Sequence, residues 1–326
     1  MDFINGAIAT ILWPLKWVVE LILVAFHSFF SFMGMDPAAG LTWVLSIVGL
    51  TVVVRAALIP VFVRQIKNQR RMLEVAPQLK KIQDKYKGKK DQFSREAMSR
   101  ETMELYRKTG TNPLSSCLPL LLQMPVFFSL FQTLDAAAKS QAGVGPLNAQ
   151  LSAQFGHAEL FGIAPLSQSF SGALNAHPQQ VAVMVIAAIM VVLMTGSQFF
   201  TQLQIVSKNM SPETKASPQF KQQRILLYLL PFVFLFSGFA FPLGVMFYWL
   251  TSNIWTMVQQ FVVIRNMPTP GSDAAKAREA RLAKRGKLVN EEGAVILSVT
   301  EQEPRKTQRE QPVSKARAKK QSGGKK

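Results

Sequence analysis

Residues 45–65 read LSIVGLTVVVRAALIPVFVRQ, and Arg55 sits inside them. The surrounding run, Leu41–Val63, is otherwise uncharged and mostly apolar and has the length of about 20 residues that a bilayer core demands of a helix. A guanidinium stays protonated in a protein, so this span carries a permanent charge. Arg64, nine residues on, opens a basic segment. That puts Arg55 about 13 Å inside the helix by rise per residue, at or just to the cytoplasmic side of the midplane and beyond easy snorkelling. On insertion scales such a charge costs about 2.5–3.5 kcal/mol, and it must face protein, water or both. Two readings follow: a structural arginine held on backbone carbonyls, or a cation with a function.

The rest of the chain repeats this segregation. Hydrophobic residues make up 48% of the 326, yet the formal net charge is +18 and the mean hydropathy +0.15. Five segments read as spans: Leu41–Val63, Leu114–Leu134, Val181–Leu203, Ile225–Phe241 and Leu243–Ile264, the last two turning at Ala240–Gly244 (AFPLG). Arg64–Asn112 carries 14 Lys and Arg, Ser207–Arg224 four, and the stretch after Ile264 16, whereas residues 135–180 carry only Lys139. The positive-inside rule then puts the basic segments in the cytoplasm. The expected fold is an all-α integral membrane protein with five spans across residues 41–266, N-terminus outside and C-terminus inside. The single cysteine, Cys117, excludes an internal disulfide, and His27, His157 and His177 are too far apart to suggest a metal site. No nucleotide-binding loop or hydrolase motif is present, and no catalytic residue, cofactor or metal is expected.

Within residues 1–40, Lys16, Glu20, His27 and Ser31 share one helical face opposite Trp13, Trp17, Leu21 and Phe29. This suits a helix lying in the membrane interface; an extra span with a polar packing face is the other reading. A basic n-region and a convincing cleavage site are lacking, which argues against a signal peptide. Residues 65–112 read as a basic helical hairpin, its first helix starting near Pro77 and its second stopping at TGTNP. Residues 135–180 form a long outer loop, and the basic tail 267–326 has the composition of a disordered segment.

Polar groups inside the spans are distributed unevenly. Thr51 shares the face of Arg55, and Gln123 lies mid-span in the second segment. Thr195, Ser197, Gln198 and Gln202, and Thr251, Ser252, Asn253, Thr256, Gln259 and Gln260, occupy the cytoplasmic halves of the third and fifth. Val181–Leu193 is wholly apolar, although Thr42, Ser46, Gln132 and Thr133 lie outward. A channel needs polar lining from face to face. The pattern instead implies a hydrated groove open to the cytoplasm and closed outside, with Arg55 as its fixed cation and no acidic residue in any span to pair with it.

Four stretches carry a resemblance: VVVRAALIPVFVRQ, PQLKKIQDKYK, NPLSSCLPLLLQMPVFFSLF and FPLGVMFYWLTSNIWTMVQQ. In order and spacing across about residues 41–265, the chain resembles the YidC-type membrane protein insertases, relatives of the mitochondrial oxidase-assembly and thylakoid Albino insertases. It looks most like an actinobacterial member. It differs from the Gram-negative form in lacking a large extracytoplasmic domain before the core, and from many Gram-positive forms in lacking a lipid-attachment cysteine. The resemblance implies a five-helix core in a bacterial plasma membrane, with Arg55 as the groove arginine, Thr51 and Gln123 as groove positions, and Tyr248 and Trp249 as the substrate-contacting aromatic pair. Asn253 joins them from the polar pattern of the fifth span. The implied function is insertion and chaperoning of nascent membrane proteins, alone or with the Sec translocon. The basic hairpin and tail would meet the ribosome and signal-recognition components by phosphate attraction, and anionic lipid by charge. The alternatives are a small-anion transporter using Arg55, against which the absence of an internal repeat counts, and a structural scaffold, which leaves the central arginine unexplained.

Overall fold

A computed structural model of the chain describes residues 2–89, 91–112, 118–210, 212, 238–289 and 295–298. The helices are α1 (Asp2–Phe32), α2 (Gly40–Lys85), α3 (Gln92–Thr109), α4 (Leu118–Ala138), α5 (Ala149–His157), α6 (Phe170–Asn175), α7 (Val181–Lys208), α8 (Leu243–Asn266) and α9 (Asp273–Ala283). Two small antiparallel pairs complete them: β1 (Glu159–Leu160) with β2 (Ala164–Pro165), and β3 (Lys287–Val289) with β4 (Val295–Ser298).

Among the described residues, three helices are long and apolar enough to cross a membrane: Thr10–Phe32, Gly40–Asn68 and Val181–Lys208. The second and third contain the expected spans Leu41–Val63 and Val181–Leu203. The expected spans Leu114–Leu134 and Leu243–Ile264 overlap α4 and α8, helices of 21 and 24 residues, with residues 114–117 outside the described residues. Most of Ile225–Phe241 lies outside the described residues, as does Cys117.

Apolar side chains pack most densely toward one end of this bundle. The core joins Trp43, Ile47 and Leu50 of α2, Leu130 and Leu134 of α4, and Val183, Ala187, Met190 and Met194 of α7 to Leu243, Val245 and Met246 of α8. Spacings of four, three and four along α7 put its buried residues on one stripe. Val181, Val185, Ile189 and Val192 lie on the opposite, exposed face. Segment 135–180 closes this end. It is folded, contributing buried Leu147, Phe155, Leu160 and Leu166 and pairing its backbone with α8 through Gly244 N to Leu166 O and Leu243 N to Gln168 O, both 2.9 Å.

The polar stripe of α1 is packed against protein. Glu20 is 1% exposed, and its carboxylate accepts the backbone N–H of Val144 (2.9 Å) and of Gly145 (2.7 Å). The turn that presents them is closed by Gly143 N to Leu147 O at 2.8 Å. His27 is buried, donates from Nε2 to Pro37 O (2.9 Å) and stacks on Trp43 with centroids 4.0 Å apart. Trp13, Trp17, Leu21 and Phe29, the residues read as the opposite face, are exposed.

Two expectations need correcting. No separate helix starts at Pro77: α2 runs unbroken for 46 residues, with Pro60 and Pro77 inside it. A proline in a helix forfeits one N–H bond and crowds one carbonyl, and the helical sequence around both prolines carries α2 through. The hairpin itself is present. Asp91 caps α3 by accepting from Ser94 N at 2.8 Å, and Gly110 ends it at φ 62°. Lys85 Nζ meets Glu101 Oε2 at 2.8 Å across the two helices; this bond holds the Glu101 carboxyl below the usual range and raises Lys85.

The second correction concerns the tail, which is not wholly disordered. Residues 273–283 form α9, capped by the Ser272 hydroxyl accepting from Ala275 N. Its approach is tied down by Thr269 N donating to Asn209 Oδ1 at 2.9 Å. Alanine-rich helix propensity and a serine cap outweigh the charge that read as disorder. Residues 299–326 lie outside the described residues.

Candidate functional site

Arg55 is half-buried on the side of α2 that also carries Thr51, Val54 and Leu58, while Val53 and Ala57 on the opposite side are exposed. Its Nη2 donates to the Ser252 hydroxyl of α8. Thr51, Val54, Arg55 and Leu58 of α2, Gln123, Val126 and Leu130 of α4, and Tyr248 of α8 line one small recess. Thr51 and Tyr248 are almost fully buried. Thr51 spends its hydroxyl proton on Ile47 O (2.7 Å) within its own helix. Tyr248 interacts with Arg55 and with the side chains of Ser252 and Gln123.

Of the six residues picked from the sequence, the structure brings four to the recess: Arg55, Thr51, Gln123 and Tyr248. Trp249 is elsewhere. Its indole stacks on Phe127 (5.5 Å, 12°) and meets the edge of Phe241 (4.8 Å, 88°), and Phe131 closes on Phe241 at 5.3 Å. This aromatic cluster lies on the side of the recess nearer segment 135–180, because Trp249 and Phe241 are closer to the start of α8 than Ser252 is, and Phe131 is closer to the end of α4 than Gln123 is. Asn253 also turns away, its Nδ2 donating to Met194 O of α7 at 3.5 Å.

Ser252 was missed as a partner. Its signal was helical phase: it stands four residues after Tyr248 and therefore on the same face. Among the described residues, several buried polar atoms have no protein partner. They include Gln123 Oε1, Thr195 Oγ1, Gln202 Oε1 and both amide atoms of Gln65 on the recess side, and Trp43 Nε1, Ser129 Oγ, Thr133 Oγ1, Ser152 Oγ, Gln154 Oε1 and Gln180 Oε1 toward segment 135–180.

Long apolar helices and a guanidinium half-buried between them, in a recess of mixed lining beside an aromatic cluster, fit an all-α integral membrane protein. Residues 34–270 match the family described as 60Kd inner membrane protein. The chain is 46% identical over 322 residues to the membrane protein insertase YidC of Tropheryma whipplei (strain Twist), covering 98% of this chain and 97% of that one. It is 37% identical over 329 residues to the insertase YidC of Bifidobacterium longum (strain NCC 2705), covering 96% of each. It is 44% identical over 289 residues to that of Streptomyces avermitilis, covering 87% of this chain and 64% of that one. The chain belongs to the YidC family of membrane protein insertases.

Proposed function

We propose that this protein inserts nascent membrane proteins through a half-membrane groove and assists their folding, alone or beside the Sec translocon. The observation that carries this reading is the pairing of the Arg55 recess with the one-sided core. A cation sits where the dense apolar packing gives way, and the end toward 135–180 is filled with large apolar side chains. A permanent charge inside a span must face protein, water or both, and the neutral Ser252 hydroxyl is no counter-ion, so Arg55 calls for water on the cytoplasmic side. The N-terminus lies outside and the C-terminus inside, in a bacterial plasma membrane.

The steps follow from ordinary partition. The polar flank of an incoming segment enters the hydrated half and is drawn to Arg55, which shortens the apolar distance left to cross. Exchanging a Ser252 hydroxyl for a carboxylate gives the guanidinium a charge-assisted bond, roughly twice as strong as a neutral one. The apolar part of the segment then slides along the groove helices into lipid. Each large apolar side chain gains about 1.5–3 kcal/mol on leaving water, enough in sum to drive the step without nucleotide hydrolysis. Tyr248 and Trp249 meet the substrate, with Asn253 toward the cytoplasmic mouth. The basic α2–α3 hairpin and the tail dock the ribosome and signal-recognition components, and anionic lipid, by charge.

Purified protein in liposomes should insert a single-span substrate while passing no small anions. Anion flux without insertion would favour a transporter instead. The sealing of the groove is tested separately. In a Cys117→Ser background, cysteines at Gln123 and Asn253 should react with a water-soluble thiol reagent from the cytoplasm only. Equal reaction from outside would sink the half-groove.

A further inference from the structure

We propose that the turn joining β1 to β2 dips into the lipid bilayer, with Phe161 and Ile163 seated among the acyl chains at the hydrocarbon boundary. Phe161 is 75% exposed and Ile163 60%, at the tip of a stem whose Leu160 and Ala164 are buried. The turn closes through Ile163 N to Leu160 O at 3.2 Å. Phe161 (φ 55°) and Gly162 (φ 70°) both take left-handed backbone there. Glycine, asparagine or aspartate normally fills such a position. A bulky aromatic at this strained and exposed site is doubly disfavoured in water, and strain of this kind gathers where a surface is used.

The surroundings identify the partner as lipid. The stem is fixed to the beginning of a span: Gly40, which opens α2, abuts the backbone of Glu159 and Leu160 so closely that a Cβ would collide with it. Phe155, just before β1, packs edge-on against Trp43 of α2 at 5.3 Å. The next residue of α2, Leu41, is exposed, as are Phe32 and Met33 at the α1–α2 corner. The tip therefore continues the apolar surface that α2 presents to the membrane. Residues 160–176 contain no Asp, Glu, Lys or Arg, where a water-facing loop of this length would carry several. Because segment 135–180 is also bonded to the start of α8, a tip held in lipid fixes the depth of the helix that bears Tyr248 and Ser252. The inference rests on the membrane placement proposed above but not on which side the segment faces.

The full chain, with Cys117 replaced by serine, is labelled with an environment-sensitive fluorophore at Phe161→Cys, at Ile163→Cys or at exposed Gln141→Cys of the same segment. It is then reconstituted into vesicles containing lipids spin-labelled near the top of the acyl chain. Labels at 161 and 163 should lose more than half of their emission to the spin-labelled lipid, and the label at 141 little. The spin labels occupy both leaflets, so an inverted topology would leave the result unchanged; reduction of the label at 141 by external dithionite reports the side independently. Water-like emission at 161 and 163, quenched by aqueous iodide as readily as at 141, overturns the proposal. So does a blue shift that arises only when a second membrane protein is added. Two tip positions keep the test decisive if one variant fails to fold, as judged by thermal melting.

Discussion

Arg55→Ala is expected to abolish most insertion of substrates whose translocated flank carries Asp or Glu, while Arg55→Lys retains most of it. Among the described residues that line the recess Arg55 is the one that carries a charge, and it donates a hydrogen bond to the neutral Ser252. Lysine keeps the positive charge and loses the planar fork, so the pair of variants separates attraction from geometry. Neutralising the acidic residues of the substrate should shrink the difference between Ala and wild type. If Arg55 is instead a structural clamp, Arg55→Ala should lower thermal stability and impair acidic and neutral flanks alike. The readout is insertion yield per folded protein. Equal losses for both substrate classes, together with a lower melting temperature, would remove the electrostatic role. Ser252→Ala is a useful companion: it should leave charge-dependent insertion intact, since the hydroxyl is the partner an incoming carboxylate replaces.

The second large effect is expected at Glu20, far from the recess. Its carboxylate satisfies two backbone N–H groups of the 143–147 turn while almost fully buried. Hydrogen bonds to a charged group contribute about 1.5–3 kcal/mol each, so Glu20→Ala should destabilise the protein by about 2–5 kcal/mol, and Glu20→Gln, with one acceptor oxygen, by less. Gly143→Ala should do similar damage, because a Cβ at Gly143 would fall on the Glu20 carboxylate. In the Glu20→Ala background that obstacle is gone, so the two changes should combine to less than their sum, as coupled neighbours do. Melting curves of the three variants and the double variant decide this. A wild-type melting temperature for Glu20→Ala would show that the clamp contributes nothing.

How far the sequence could be read varied with the kind of signal. The spans on α2 and α7 were visible because an apolar run of that length has few other uses, and Arg55 stood out by its cost. Polar residues in a span are less informative one at a time. Six crowd the fifth span, and only helical phase against the neighbouring helices sends Ser252 to Arg55 and Asn253 to the backbone of α7. The four-residue steps at Lys16, Glu20, His27 and Ser31 correctly marked a face of α1. Periodicity could not say what that face touches, because the turn at 143–147 is more than a hundred residues away. Pro77 misled because a proline is read as a boundary where its neighbours are weak helix formers. Segment 135–180 and α9 were under-read for a shared reason: short elements closed by caps and a few long-range backbone bonds leave little periodic trace.

The length of α2 joins two regions that composition alone would treat as separate. The same continuous helix carries Arg55 in its apolar half and Lys85 beside the turn of the α2–α3 hairpin. At 1.5 Å per residue these lie about 45 Å apart, and a tilt of about 5° at Arg55 displaces the tip by about 4 Å. A helix that stays straight would carry a tilt of its outer end to the level of Arg55 through its own backbone, with no chain of side-chain contacts to relay it. Pro60 and Pro77 each omit one backbone bond along that helix, so they are the two places where such leverage can be softened.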